Sequence, residues 1–170
     1  MEAKRRRQAL MEILCSSSEP LTGSALAKEL GVSRQIIVGD IAILRAAGAE
    51  VYATPQGYLL PKIQKNTPFV ARFACVHDRE KLGRELAIII DNGGKVLDVI
   101  VEHTIYGEIK ANLMLTNRRE LREFLDKLDK GAEPLSAVTG GAHLHTVEAS
   151  SQNVLDTIEA ELKAEGILLN

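Results

Sequence analysis

Two prolines, Pro61 and Pro68, bracket the segment PKIQKNTP, which is polar and has no sustained apolar period. That composition is typical of a linker. It splits the 170 residues into a unit of about 60 and one of about 100, so each must build its own small core. Domains are therefore expected at residues 1–62 and 63–170. Aromatic residues make up 4% and Trp is absent, so both cores must be aliphatic. Charge is also divided. Through Lys62 there are eight Lys/Arg against six Asp/Glu, and beyond it 13 against 17. A mildly basic head on an acidic body suits one unit that touches phosphates and another that does something else.

The first unit reads as three helices and a hairpin. Ala9, Leu10, Ile13 and Leu14 have helical spacing, and the run Ser16 to Pro20 breaks that helix. Thr22 can cap a second helix, with Leu26 and Leu30 on its inner face. Gly31 ends it, as a residue tolerant of the left-handed conformation should. Ser33 caps a third helix, in which Ile36, Ile37, Ile41 and Leu44 form an apolar stripe, and Gly48 stops it. VYATPQGYLL then supplies two short strands around a turn. This order is that of a winged helix-turn-helix. Ser33, Arg34 and Gln35 at the start of the recognition helix are candidates for base edges or flanking phosphates. Arg45 at its far end and Arg5, Arg6 and Arg7 could reach the backbone, and Thr54 and Gln56 fall at the wing tip. Residues 25–48, ALAKELGVSRQIIVGDIAILRAAG, resemble the helix-turn-helix of biotin-ligase-type repressors.

The second unit reads as βαββαβ plus a terminal helix. Strands are expected near 69–76, 95–104, 108–115 and 142–148, and helices near 78–90, 118–130 and 151–164. The class is α+β, a ferredoxin-like split βαβ sandwich. All four histidines fall here. His143 and His145 are two apart on a strand and share a face, and Gly140 and Gly141 before them free the backbone to approach something closely. His77 ends the first strand, which should neighbour the fourth, and Glu85 lies on the following helix. Three imidazoles and a carboxylate suit one divalent transition metal ion such as Ni, Zn, Fe or Mn. Residues eight apart on one helix would be about 12 Å apart along its axis, so His77 must lie outside the helix with the chain folding back. The plainer alternative is that these are ordinary strand histidines.

The segments ACVHDRE, IVEHTIYGEI and TGGAHLHTVEA, in this order behind a helix-turn-helix, resemble the 3H (three-histidine) domain of niacin-responsive transcriptional repressors. The resemblance implies metal ligands His77, Glu85, His143 and His145. It also implies nicotinic acid as corepressor and repression of genes for NAD biosynthesis and niacin uptake. His103 would be a pocket residue, Arg72, Arg79 or Arg84 could pair with the nicotinate carboxylate, and Tyr106 or Phe73 could pack on its ring.

The expected partner is double-stranded operator DNA, read by a homodimer across two half-sites. Two other classes stay open: a regulator in which the metal is itself the signal, and a metal-dependent hydrolase with a fused DNA-binding unit. No HExxH motif or phosphate-binding glycine loop supports the hydrolase, so no enzyme is expected. No apolar run approaches the roughly 18–20 residues of a membrane span, and the basic start MEAKRRRQAL lacks the apolar core of a signal peptide. Cys15 and Cys75 each sit in an apolar run and read as buried thiols of a cytoplasmic protein.

Overall fold

A computed structural model describes residues 2–61 and 68–169. The chain forms two compact units, residues 1–63 and 64–170. The expected boundary at residues 62 and 63 lies outside the described residues.

In the first unit, helices α1 (Ala3–Ser16), α2 (Gly23–Leu30) and α3 (Arg34–Ala46) precede strands β1 (Tyr52–Thr54) and β2 (Gly57–Leu59). Local chemistry sets the helix ends. The Thr22 hydroxyl accepts from Ala25 N at 3.1 Å, and the Ser33 hydroxyl accepts from Ile36 N at 3.3 Å. Gly31 adopts φ 66°, which lets Val32 N bond back to Ala27 O at 2.9 Å and turns the chain from α2 into α3. Leu10, Leu14, Leu26, Leu30, Ile37, Ile41 and Val51 form one buried cluster. The hairpin is pinned to the loop before α2 by paired bonds between Leu21 and Tyr58, both 2.8 Å.

Two expectations about this unit are corrected. Cys15 is exposed, because it lies one residue and some 100° beyond Leu14, which holds the inner face of α1. The apolar stripe of α3 is not continuous either. Ile36 is 41% exposed, since Ile37 and Ile41 already fill the core and Ile36 falls beside the polar helix start.

The second unit contains β3 (Phe69–Val76), α4 (Leu82–Asp91), β4 (Lys95–His103), β5 (Gly107–Leu115), α5 (Arg118–Asp129), β6 (Ala142–Ala149) and α6 (Gln152–Ala164). Short 3₁₀ turns at Arg79–Lys81 and Leu135–Thr139 precede α4 and β6. The sheet order is β3-β6-β4-β5, with every neighbouring pair antiparallel. β3 and β4 are thus parallel strands split by a third, as the α+β reading requires. The strand in the gap is β6, whereas the ferredoxin-like order puts the hairpin's returning strand there. Burial explains the choice: β6 is mostly buried, while the outer half of β5 carries Glu108 and Lys110 in solvent. Leu82, Leu86 and Ile89 of α4, Leu121 and Leu128 of α5, and Leu155, Ile158 and Leu162 of α6 share one core with Phe73, Cys75, Val96, Leu113 and Val147.

Strand β4 slips against both neighbours. Between Val96 and Ile100 it carries one residue more than β6, and β5 carries one more than β4 between Asn112 and Leu115. Met114 absorbs the second bulge at φ 52°. In the first, buried Asp98 takes over the ladder's role: its Oδ1 accepts from Thr146 N at 3.0 Å. On the outer edge of β3, Val76 N bonds Ile167 O at 2.8 Å and Leu169 N bonds Ala74 O at 2.9 Å. Among the described residues no helix is long and apolar enough to cross a membrane.

Candidate functional site

His77 follows the last residue of β3. Asp78 then accepts from Lys81 N at 3.3 Å and caps the 3₁₀ turn that leads into α4. The turn folds His77 back over the first turn of α4, so the eight-residue spacing to Glu85 closes. His77 Nε2 lies 2.6 Å from Glu85 Oε2. Gly141 permits this approach. At φ 98° it sits so close that a Cβ there would fall 2.4 Å from the His77 carbonyl oxygen. From β6, His143 Nε2 lies 3.0 Å from Glu85 Oε1, and His145 Nε2 lies 3.4 Å from Oε2. The side chains of His77, Glu85, His143 and His145 are at most 2% exposed. The structure therefore brings all four sequence-predicted residues together.

The proton arrangement is informative. His77 Nδ1 lies 2.6 Å from Asp78 O, His143 Nδ1 2.6 Å from Gly141 O, and His145 Nδ1 2.7 Å from Asp98 O. A carbonyl can only accept, so each Nδ1 carries the proton. Each neutral ring then turns a lone pair at Nε2 toward a carboxylate that also only accepts. Such a convergence needs protons or a cation at its centre. Burial alone would lower the imidazoles of His77 and His145, but Glu85 together with Asp78 for His77 and Asp98 for His145 outweighs it, and both are raised. Burial alone would raise Glu85, yet the imidazoles, His145 foremost, hold it well below the usual carboxylate range. His145 Nε2 makes no hydrogen bond although buried. Three imidazoles fixed at Nδ1 by backbone carbonyls, one of them with an orphaned Nε2, and a carboxylate fit a divalent transition metal.

Sequence reasoning missed three contributors. Cys75 stands opposite His143 in the β3–β6 register, and its Sγ, a Glu85 oxygen and a His143 nitrogen lie within 4.8 Å of one another. Burial pushes this thiol up, and the Glu85 charge adds to it. Asp98 orients His145 through its carbonyl, and the Gly141 carbonyl orients His143. Strand register reveals the first and the bulge the second, and neither is visible in residue types; the third is a local contact two residues from His143.

Beside the cluster lies a cavity of about 120 Å³ lined by His143 and His145 together with Leu82, Leu86, Val99, Ala111, Leu113, Phe124, Leu128, Pro134, Leu135 and Ser136. None of the six expected effector contacts lines it. Phe73 is packed in the core opposite His145. Arg72 is exposed and points to the opposite face of the sheet. His103 and Tyr106 sit at the β4–β5 turn, where His103 Nδ1 accepts from Ile105 N and Tyr106 N at 3.1 and 3.3 Å, and Tyr106 is 76% exposed. Arg79 is engaged by the carbonyls of Leu128 and Ala132, and Arg84 by Glu165.

In the first unit, Arg34, Gln35 and Arg5 are exposed, and Ser33 caps α3. Arg6 is engaged with buried Asp40 of α3 at 2.6 Å, with Arg7 3.5 Å from the same carboxylate. Arg45 Nε donates to Val51 O at 2.7 Å, tying α3 to the wing. The Thr54 hydroxyl donates to Gly57 O at 2.9 Å inside the hairpin turn, and Gln56 Nε2 is buried without a hydrogen-bond partner. The solvent-facing set is thus Arg5, Ser33, Arg34, Gln35 and Arg45, of which Arg45 also ties α3 to the wing, while half-buried Arg6 and Thr54 hold the unit together.

A winged helix-turn-helix joined in one chain to a separate sheet unit is the architecture of a DNA-binding transcription regulator. Comparison with known families agrees: a family described as the 3H domain matches residues 70–170, and one described as an HTH domain matches residues 6–59. The chain is 41% identical to the probable transcription repressor NiaR of Thermotoga maritima over 166 residues, covering 96% of this chain and 93% of that protein. It is 39% identical to the transcription repressor NadR of Bacillus subtilis over 172 residues, covering 99% and 95%. The chain belongs to this family of HTH–3H transcription repressors, which is not one of enzymes.

Proposed function

We propose that the protein is a DNA-binding repressor whose 3H domain holds a divalent transition metal and senses nicotinic acid. His77, Glu85, His143 and His145 would hold the metal. The single observation that carries this is that three Nδ1 atoms are pinned by backbone carbonyls while their Nε2 atoms converge on one buried carboxylate. The family resemblance supplies nicotinic acid, and the cavity supports it. At about 120 Å³ it is far below drug-sized pockets of about 300–1,000 Å³ and suits one small ring. Leu82, Leu86, Val99 and Phe124 would pack the ring. When bound, the metal would supply an open coordination position for the carboxylate or ring nitrogen. His103, Tyr106, Arg72 and Phe73 are not needed as effector contacts.

Arg34 and Gln35 would read base edges in the major groove, with Ser33 and Arg5 on the phosphates. A homodimer would place two such heads on successive half-sites of an operator controlling NAD biosynthesis and niacin uptake genes. Nicotinate acts as corepressor only if it binds the DNA-competent state more tightly. An operator-binding assay on chelator-stripped and metal-restored protein, with and without nicotinic acid, tests this. Tighter operator binding is expected only with metal and nicotinate together. Tightening by metal alone would mean that the metal is itself the signal.

A further inference from the structure

We infer that Cys75 is a further ligand of the metal centre, its thiolate binding the same ion that the histidines and Glu85 hold. This rests on the proposed metal centre and adds a donor from β3. Cys75 is fully buried and paired across from His143, so its Sγ projects from the same face of the sheet. The Sγ, a Glu85 oxygen and a His143 nitrogen form the group in which every donor lies within 4.8 Å of every other. Donors that share one ion are spaced roughly 3–3.5 Å apart, so side-chain adjustments on the order of 1–2 Å close the set. His145 Nε2, buried and without a hydrogen-bond partner beside the same carboxylate, independently points to a cation-binding centre there.

When the sulfur–metal bond forms, the S–H proton leaves to solvent. A thiolate softens a donor set otherwise made of imidazole and carboxylate. It shifts preference toward Zn(II), Co(II) and Ni(II) and away from Mn(II). Cys75 thus narrows the range of metals that the histidines and Glu85 alone would accept.

The probe is Co(II), titrated into the chelator-stripped full chain. The expected result is visible ligand-field absorption that saturates together with a near-ultraviolet sulfur-to-cobalt charge-transfer band. The band should vanish in Cys75→Ser and Cys75→Ala while the visible absorption stays. The chain has two cysteines, so Cys15→Ser must keep the band. If neither Cys75 variant folds, the Cys15→Ser spectrum still decides, because any thiolate band there comes from Cys75. In competition, Cys75→Ser should lose at least about tenfold of the preference for Zn(II) over Mn(II). Visible absorption without the charge-transfer band, or a band that follows Cys15, overturns the assignment and leaves the metal centre standing. No cobalt absorption at all overturns both.

Discussion

Asp40 in the first unit and Glu85 in the second are carboxylates buried against nitrogen-bearing side chains, and the two pairings differ in kind. In the reading unit Asp40 meets the guanidinium of Arg6, which stays charged at any pH a protein meets. In the 3H unit Glu85 meets three imidazoles, whose charge depends on protonation. A permanent partner closes the first site, which clasps α1 to α3. The conditional partners of the second leave a centre that protons or a metal can occupy. The same operation, burying a carboxylate, yields a closed ion pair in one case and a centre with room for a proton or a metal in the other.

The largest test of this contrast is metal-dependent stability. At a metal concentration of 1,000 times Kd, the 3H unit should gain about 4 kcal/mol, seen in denaturant unfolding and removed by chelator. Glu85→Gln should abolish that gain. A wild-type curve unmoved by chelator would erase the distinction between the two carboxylates. Next comes Asp40→Ala, which should lower the thermal midpoint of the reading unit by about 5 °C or more, equally with and without chelator. A chelator-sensitive shift there would break the comparison from the other side. Gly141→Ala forces a Cβ into the His77 carbonyl at a positive φ. It should weaken Co(II) binding by about 10–100-fold, as loss of a positioning contact does, and leave operator DNA affinity of the metal-free protein unchanged.

The smallest effect belongs to an exposed pair outside both sites. Arg118 holds the Asp91 carboxyl below its usual range. A depressed carboxyl stabilises above its unfolded pKa, and that contribution fades as pH falls through the folded value. Because both side chains face solvent, Arg118→Ala should shift stability within measurement scatter at neutral pH. A clear loss would show that surface pairs matter more here than the buried contrast suggests.

What was readable beforehand follows from the range of each interaction. Thr22, Gly31 and Ser33 act on backbone within three or four residues, so their caps and turn are visible in residue types. The shared face of His143 and His145 needs only the two-residue strand period. Glu85 and His77 required a fold-back that the caps allow but do not dictate. The strand order, the Asp98 bulge and the position of Cys75 opposite His143 depend on partners 47 to 68 residues away. The distance of the expected effector contacts from the cavity was also not legible in residue types. His103 and Tyr106 belong to a histidine-bearing motif, but a hairpin turn carries them away from the cavity that β4, β5, α4 and α5 enclose.

The placement of β6 between β3 and β4 has a consequence for synthesis. Their parallel alignment has no direct ladder, so the four-stranded sheet cannot close until the chain from Ala142 onward has emerged. The reading unit is complete by Pro61, some 80 residues before His145. At about 5–20 residues per second, a growing chain spends roughly 4–16 s with a finished reading head and an open sheet. During that interval His77 and Glu85 lack both His143 and His145, so the buried cluster is the last feature the nascent protein assembles.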